Sequence, residues 1–158
     1  MKKRIHALQL AQAKRVAGMT DEQLAWVEQG VARRGILRTI GLALPLKFKK
    51  SVGGDIDGVL ELQFVDPLGG APDRIQLVMR RGRCRARRNG TARPDATALM
   101  HLSDLVRLGV GAVEAGWLAN DGRVVLSGDP FLFVRFPAAF GLRTRPLYAE
   151  HRGPTLQP

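Results

Sequence analysis

The sequence predicts an α+β fold: a five-stranded, mostly antiparallel sheet with helices packed on one face, preceded by a helical N-terminal segment. Three observations lead there. Between residues 20 and 45, apolar side chains recur at helical spacing. Between residues 59 and 88 they alternate with polar ones, as in half-buried strands, around Pro- and Gly-containing turns. From residue 95 to residue 140, short apolar runs are punctuated by helix N-cap signals.

The N-terminal segment comes first. In MTDEQLAWVEQGVARR, Thr20 stands three residues before Gln23, the spacing of a capping box, with Asp21 and Glu22 in the first turn. Leu24, Val27 and Val31 then form one stripe that Gly35 is expected to break. Ile36, Leu37, Ile40 and Leu44 form a second, ending at Pro45. These stripes read either as helix faces packed on the domain or as a basic amphipathic element on an anionic membrane. The stretch SVGGDIDG (51–58) reads as a linker.

In the strand region, Leu60, Leu62 and Phe64 alternate with Glu61 and Gln63. After the turn DPLGGAPD, Ile75, Leu77 and Met79 share one face of the next strand. A two-residue turn at Arg81-Gly82 sets Arg80 opposite Arg83, Met79 opposite Cys84, Val78 opposite Arg85 and Leu77 opposite Ala86. Arg83, Arg85 and Arg87 then share the other face, and a one-residue slip would exchange the two faces. Ala96–Leu102 is expected as a strand, with Ser103-Asp104 capping a short helix that Gly109 ends. A helical piece through Trp117, a turn at Asp121-Gly122 and a strand over Arg123–Ser127 follow. Asp129-Pro130 then marks an N-cap with proline at the first helical position. The last helix carries Phe131, Leu132, Phe133, Val134, Phe136 and Phe140, and Pro137 is expected to kink or end it. The expected division is a basic helical segment over 1–50, a domain over 51–145 and a flexible tail over 146–158.

Charge is the unusual bulk property. The 158 residues carry 25 Lys and Arg against 14 Asp and Glu, a net +11 that favours anionic partners. Eleven of the basic groups and three of the acids fall in residues 1–50, and Arg74–Arg93 holds eight arginines and no carboxylate. That stretch also lacks aromatic residues for base stacking, which argues against nucleic acid. A single cysteine leaves no intrachain disulfide or cysteine cluster, and polar residues interrupt the apolar run after Lys2-Lys3-Arg4. A cytoplasmic protein, peripheral to membranes where it meets them, is the expectation.

Chemistry-bearing motifs are few. His6, His101 and His151 stand in unrelated contexts, and no nucleophile elbow or phosphate-binding glycine loop is present. Neither a metal, a cofactor nor a catalytic residue is expected. Tyr148, the only tyrosine, has no visible acid–base partner.

The order of parts over about residues 55–141 carries more. DGVLELQF, DRIQLVMRRGRC, PDATALMHLSDLVRLGVG and WLANDGRVVLSGDPFLFVRF resemble the sterol carrier protein 2 family, the sterol-binding domain. The resemblance rests on Asp95-Ala96-Thr97, Ser103-Asp104-Leu105, Gly109, Gly116, Gly122 and Gly128-Asp129. Departures are Arg81 before the turn glycine, Pro137 in the final helix and the lack of basic residues in Trp117–Asn120.

The resemblance implies a sterol-carrier-like fold and an apolar cavity for a fatty acyl, sterol or isoprenoid-like lipid, bound for transfer or presentation without catalysis. The inward candidates for that cavity are Leu62, Phe64, Leu77, Met79, Leu99, Leu105, Val106, Trp117, Leu126, Phe131, Phe133, Phe136 and Phe140. Lys47, Lys49, Lys50, Arg83, Arg85 and Arg87 are the candidates for contact with an anion or a membrane surface. The alternative is an interaction or scaffold protein whose arginine-rich sheet face binds an anionic membrane, protein or nucleic acid.

Overall fold

A computed structural model describes the backbone of residues 2–142 and the side chains of residues 7–142. The tail expected over 146–158, with Tyr148 and His151, lies outside the described residues, as does the side chain of His6. Helix α1 (Lys2–Ala17) leads through turns and a single 3-10 turn (Ala25–Glu28) to α2 (Gly30–Lys47) and the one-turn α3 (Lys50–Gly53). Three strands follow: β1 (Gly58–Phe64), β2 (Asp73–Arg80) and β3 (Arg83–Arg88). Then come β4 (Ala96–Met100), α4 (Leu102–Gly109), α5 (Ala115–Asn120), β5 (Val124–Gly128) and α6 (Pro130–Ala139).

The five strands form one sheet in the order β3-β2-β1-β4-β5. It is mixed: β1 and β4 run parallel, while the other three pairings are antiparallel. The parallel pair arises because the chain leaves β3 at one edge and crosses over to lay β4 beside β1. The hairpin has the register expected from its alternation, with Arg80 opposite Arg83, Met79 opposite Cys84 and Leu77 opposite Ala86. Arg81 and Gly82 have φ of 50° and 71°, the pair of positive values that a type I′ turn requires.

The core lies on one side of the sheet. Leu60, Leu62, Phe64, Ile75, Leu77 and Met79 join Leu37 and Leu44 of α2, Leu105 and Leu108 of α4, and Phe140 in one buried cluster. The N-terminal helices therefore share the core of the sheet. A buried ion pair fixes them there: Arg33 of α2 donates to Glu28 at 2.9 Å, to Asp73 of β2 at 2.9 Å and to the Phe64 carbonyl at 3.1 Å. Glu28 in turn accepts from the Ser103 backbone N–H at 2.7 Å, tying the 3-10 turn to α4.

Several expectations need correction. The Thr20–Gln23 capping box forms, each side chain meeting the other's backbone N–H, but it opens turns rather than a long helix. The helix break falls at Gly30, whose φ is +55°, and α2 runs through Gly35. Val31 is therefore turned to solvent, 77% exposed. Pro45 sits inside the last turn of α2, which ends at Lys47. Ser103 and Asp104 lie in the first turn of α4 behind His101, because the Ser103 N–H is taken by Glu28 and the Asp104 carboxylate by arginines. Helix α6 continues through Pro137 to Ala139. Glu61 does not point to solvent. It is buried, accepting from Gln63 at 2.6 Å and Gln76 at 2.7 Å, and the loop over residues 89–95 covers it by bonding the Gln76 amide to the Ala92 carbonyl at 2.8 Å.

Candidate functional site

The residues proposed for a lipid cavity divide into three groups. Leu62, Phe64, Leu77, Met79, Leu105 and Phe140 are buried in the common core, and Val106, Phe133 and Phe136 pack against it half-buried. The Phe136 and Phe140 rings are 4.7 Å apart at their centroids, and Phe48 stacks obliquely on Phe140 at 5.4 Å. Trp117, Leu126 and Phe131 lie at the margin, 46%, 42% and 74% exposed. Leu99 belongs elsewhere: it pairs with Gln63 and Val125 on the sheet face that turns away from the core.

Local geometry explains these placements. Asp129 accepts from the Phe131 backbone N–H at 2.9 Å and fixes the phase of α6, with proline at the first helical position as expected. In that phase Leu132, Pro137 and Ala139 are buried, while Phe131 and Val134 look outward. In α5 the inward place is taken by Leu118, which displaces Trp117 to the surface. Leu126 pairs with Ala98 on the core side, but β5 is an edge strand and leaves it half-covered.

The motif residues at this end have structural work that sequence alone did not expose. The Asp95 carboxylate accepts from the Val59 N–H at 2.7 Å, and its carbonyl accepts from the Asp129 N–H at 2.9 Å. Gly128, at φ +94°, lies so close to the Asp95 carbonyl that a Cβ would collide with it. Asp95 thus joins the starts of β1 and β4 to the β5–α6 corner.

A second network lies at α4. Asp104, with a fully buried side chain, accepts from Arg107 at 3.0 Å and Arg123 at 2.9 Å, and both arginines also reach Asp21. The Arg123 and Arg107 guanidiniums hold the Asp21 carboxyl down to about 2. No residue of this network was singled out for such a role by the sequence, because the partners lie 86 and 102 residues apart.

The basic candidates do not form one patch. Arg83, Arg85 and Arg87, with Val78, Arg80 and Arg81, line an open groove of about 530 Å³ on the outer sheet face. Arg80 faces Asp57 at 3.6 Å; Arg81, Arg83, Arg85 and Arg87 have no ion-pair partner among the described residues. Lys50 lies against the hairpin turn at Gly82, whereas Lys49 approaches Gly141 and Lys47 lines a separate groove with Gln9 and Gln12. Cys84 packs against the core, and burial pushes its thiol up to about 11. Among the described residues no group of three or more His, Cys, Asp or Glu is placed to hold a metal. No described helix is long and apolar enough to cross a membrane.

No family model matches the chain, and no curated protein matches it. Solved structures do. A double mutant of the sec-alkyl sulfatase PisA1 superposes with a TM-score of 0.54 at 17% identity, over 79% of this chain; this chain spans only 17% of that enzyme. The palmitated SCP2L2 of Aedes aegypti gives 0.54 at 18% identity, over 66% of this chain and 90% of its own. Protein TT1886 of Thermus thermophilus, described as possibly a sterol carrier protein, gives 0.51 at 20% identity, over 75% and 91%.

The class of fold is thereby defined. The chain has the sterol carrier protein 2 fold, an α+β domain built on a five-stranded mixed sheet.

Proposed function

We propose that this chain binds one apolar lipid, a fatty acyl, sterol or isoprenoid-like molecule, between the core side of its sheet and helices α4–α6, and transfers or presents it without catalysis. The observation that carries the reading is the fold, shared over most of its length with a sterol carrier domain solved in palmitated form. The physical setting supports it. Leu105, Val106, Phe133, Phe136 and Phe140 supply an apolar wall against Leu62, Phe64 and Leu77, and Met79 and Met100 add side chains that repack readily around a ligand. Trp117, Leu126 and Phe131 mark the margin where this layer meets solvent. A cytoplasmic location with reversible membrane contact belongs to the same proposal.

Native mass spectrometry of the protein purified from its producing cells tests this reading. The expected result is a population heavier by one lipid, released by organic solvent. A chain that carries no lipid, and takes up none when mixed with acyl or sterol vesicles, would contradict it.

A second reading has its own observation, the groove on the outer sheet face where Arg81, Arg83, Arg85 and Arg87 have no ion-pair partner among the described residues. There the chain is an interaction protein that holds an anionic membrane, protein or nucleic acid. Replacing Arg83, Arg85 and Arg87 together with Gln removes binding if that face is functional and leaves it unchanged if the face is simply solvated.

A further inference from the structure

One end of the sheet combines exposed apolar groups with basic ones. The register puts Gly58 opposite Met79, Arg80 opposite Arg83 and Ala96 opposite Gly128, so the β2–β3 turn and the end of β5 lie at the same end. Helix α6 starts there at Asp129 and crosses that end. Leu132 meets Gly58 at the start of β1, with a Cδ 3.4 Å from where a Cβ would sit. The Ala139 Cβ then lies 3.0 Å from where a Cβ on Gly53 of α3 would sit. Two further bonds fix the crossing: the Lys49 N–H donates to the Ala139 carbonyl at 2.7 Å, and Arg135 donates to Asp55 at 2.9 Å. Helix α3 in turn touches the hairpin turn, where the Lys50 side chain lies over Gly82.

The outward stripe of α6 is therefore displayed at this end. Phe131 and Val134 are 74% and 78% exposed, and Val52 of α3 is exposed beside them, where Arg135 donates to its carbonyl. The cations at this end are Lys49, Lys50, Arg80, Arg81, Arg83 and Arg135, against the acids Asp55, Asp57, Asp95 and Asp129. Asp55 and Asp57 are engaged by Arg135 and Arg80, Asp95 accepts from the Val59 N–H, and Asp129 caps α6. A large aromatic and a β-branched side chain, without a partner among the described residues and at a sheet end where basic groups outnumber acids, match the interface of an anionic bilayer. Such a surface buries its apolar groups at the headgroup boundary while its basic groups meet lipid phosphates. A nucleic acid would favour the arginine groove, which carries no exposed apolar side chain of comparable size.

We infer that this end of the sheet, with Phe131 and Val134 of α6 inserting and Lys50 and Arg81 flanking them, is a docking surface for anionic membranes. The inference rests on the membrane contact proposed above and gives it a site; docking itself requires no internal cavity, so vesicle binding and lipid uptake can fail separately.

Vesicle co-sedimentation of the full chain tests it, with phosphatidylcholine alone and with phosphatidylcholine mixed with phosphatidylserine. The expected result is binding to the mixed vesicles alone, weakening as salt is raised. Phe131→Asp with Val134→Asp, both exposed and expected to leave the fold intact by circular dichroism, should weaken binding about tenfold or more. Lys50→Glu with Arg81→Glu should do the same, since each basic group at a membrane surface contributes roughly fivefold. Arg85→Glu with Arg87→Glu, on the outer sheet face, should change binding less than either pair.

Failure of the native chain to sediment with anionic vesicles would overturn the inference. So would unchanged binding by the Phe131/Val134 variant, or loss confined to the Arg85/Arg87 variant. Displacement of the protein by single-stranded RNA in that last case would assign the arginine groove to nucleic acid. Lipid uptake from solution, measured separately, reports on the cavity whatever the vesicles show.

Discussion

Arg33 is the side chain whose removal should most disturb this fold. Its guanidinium makes three bonds, to Glu28, Asp73 and the Phe64 carbonyl, and both members of the Arg33–Glu28 pair are about nine-tenths buried. Arg33→Ala leaves Glu28 buried with one remaining donor, the Ser103 N–H, and leaves a strand-end carbonyl without this donor. Breaking a buried pair by deleting one partner costs about 3–5 kcal/mol. For a chain of this size that converts to a fall in Tm of roughly 6–20 °C. Thermal unfolding followed by circular dichroism, with urea titration beside it, measures the change. Arg33→Met combined with Glu28→Leu removes both charges, so it should recover much of the loss. A fall of less than about 2 °C for Arg33→Ala would refute the claim that this cluster clamps the N-terminal helices to the sheet.

Two further predictions concern titration. The Asp21 carboxyl is held near 2 in the folded chain against an ordinary 3.8, so its contribution is fully present above about 4 and is lost as pH falls toward 2. Because Asp21 is largely exposed, screening reduces that contribution to about 1 kcal/mol, and Asp21→Asn should flatten the acid limb of stability by that amount. Burial raises the Cys84 thiol to about 11, so little of it is thiolate at neutral pH. Its alkylation by iodoacetamide in the native protein should be at least tenfold slower than in urea, and equal rates would place the thiol at the surface.

The hairpin was legible from sequence for a definite reason. A period of two, a turn residue pair able to take positive φ and the small side chains Cys84 and Ala86 opposite Met79 and Leu77 all require one register. The cap of α6 was equally legible, since Asp129-Pro130 acts on its own neighbours. What failed was phase and distance. Gly30 and Gly35 are the same residue type, and nothing local says which takes the left-handed conformation. Phe131 looks inward by composition, but the cap at Asp129 rotates it out. Glu61 looks outward by alternation, yet a loop some 30 residues later in the chain closes over it. The Arg33 and Asp104 networks join residues far apart in the chain, so no window of sequence contains them. The basic candidates likewise separated, because Arg83, Arg85 and Arg87 follow the outer sheet face while Lys47 and Lys49 follow the helices.

The most direct test of the carrier reading is a titration of the delipidated protein with an environment-sensitive fluorescent fatty acyl probe, followed by competition with unlabelled fatty acids and sterols. Saturable binding near one probe per chain, displaced by an unlabelled lipid, is the predicted result. Probe fluorescence that rises without saturation, or that no lipid displaces, would show that Phe133, Phe136 and Phe140 simply fill the interior, and would contradict the account.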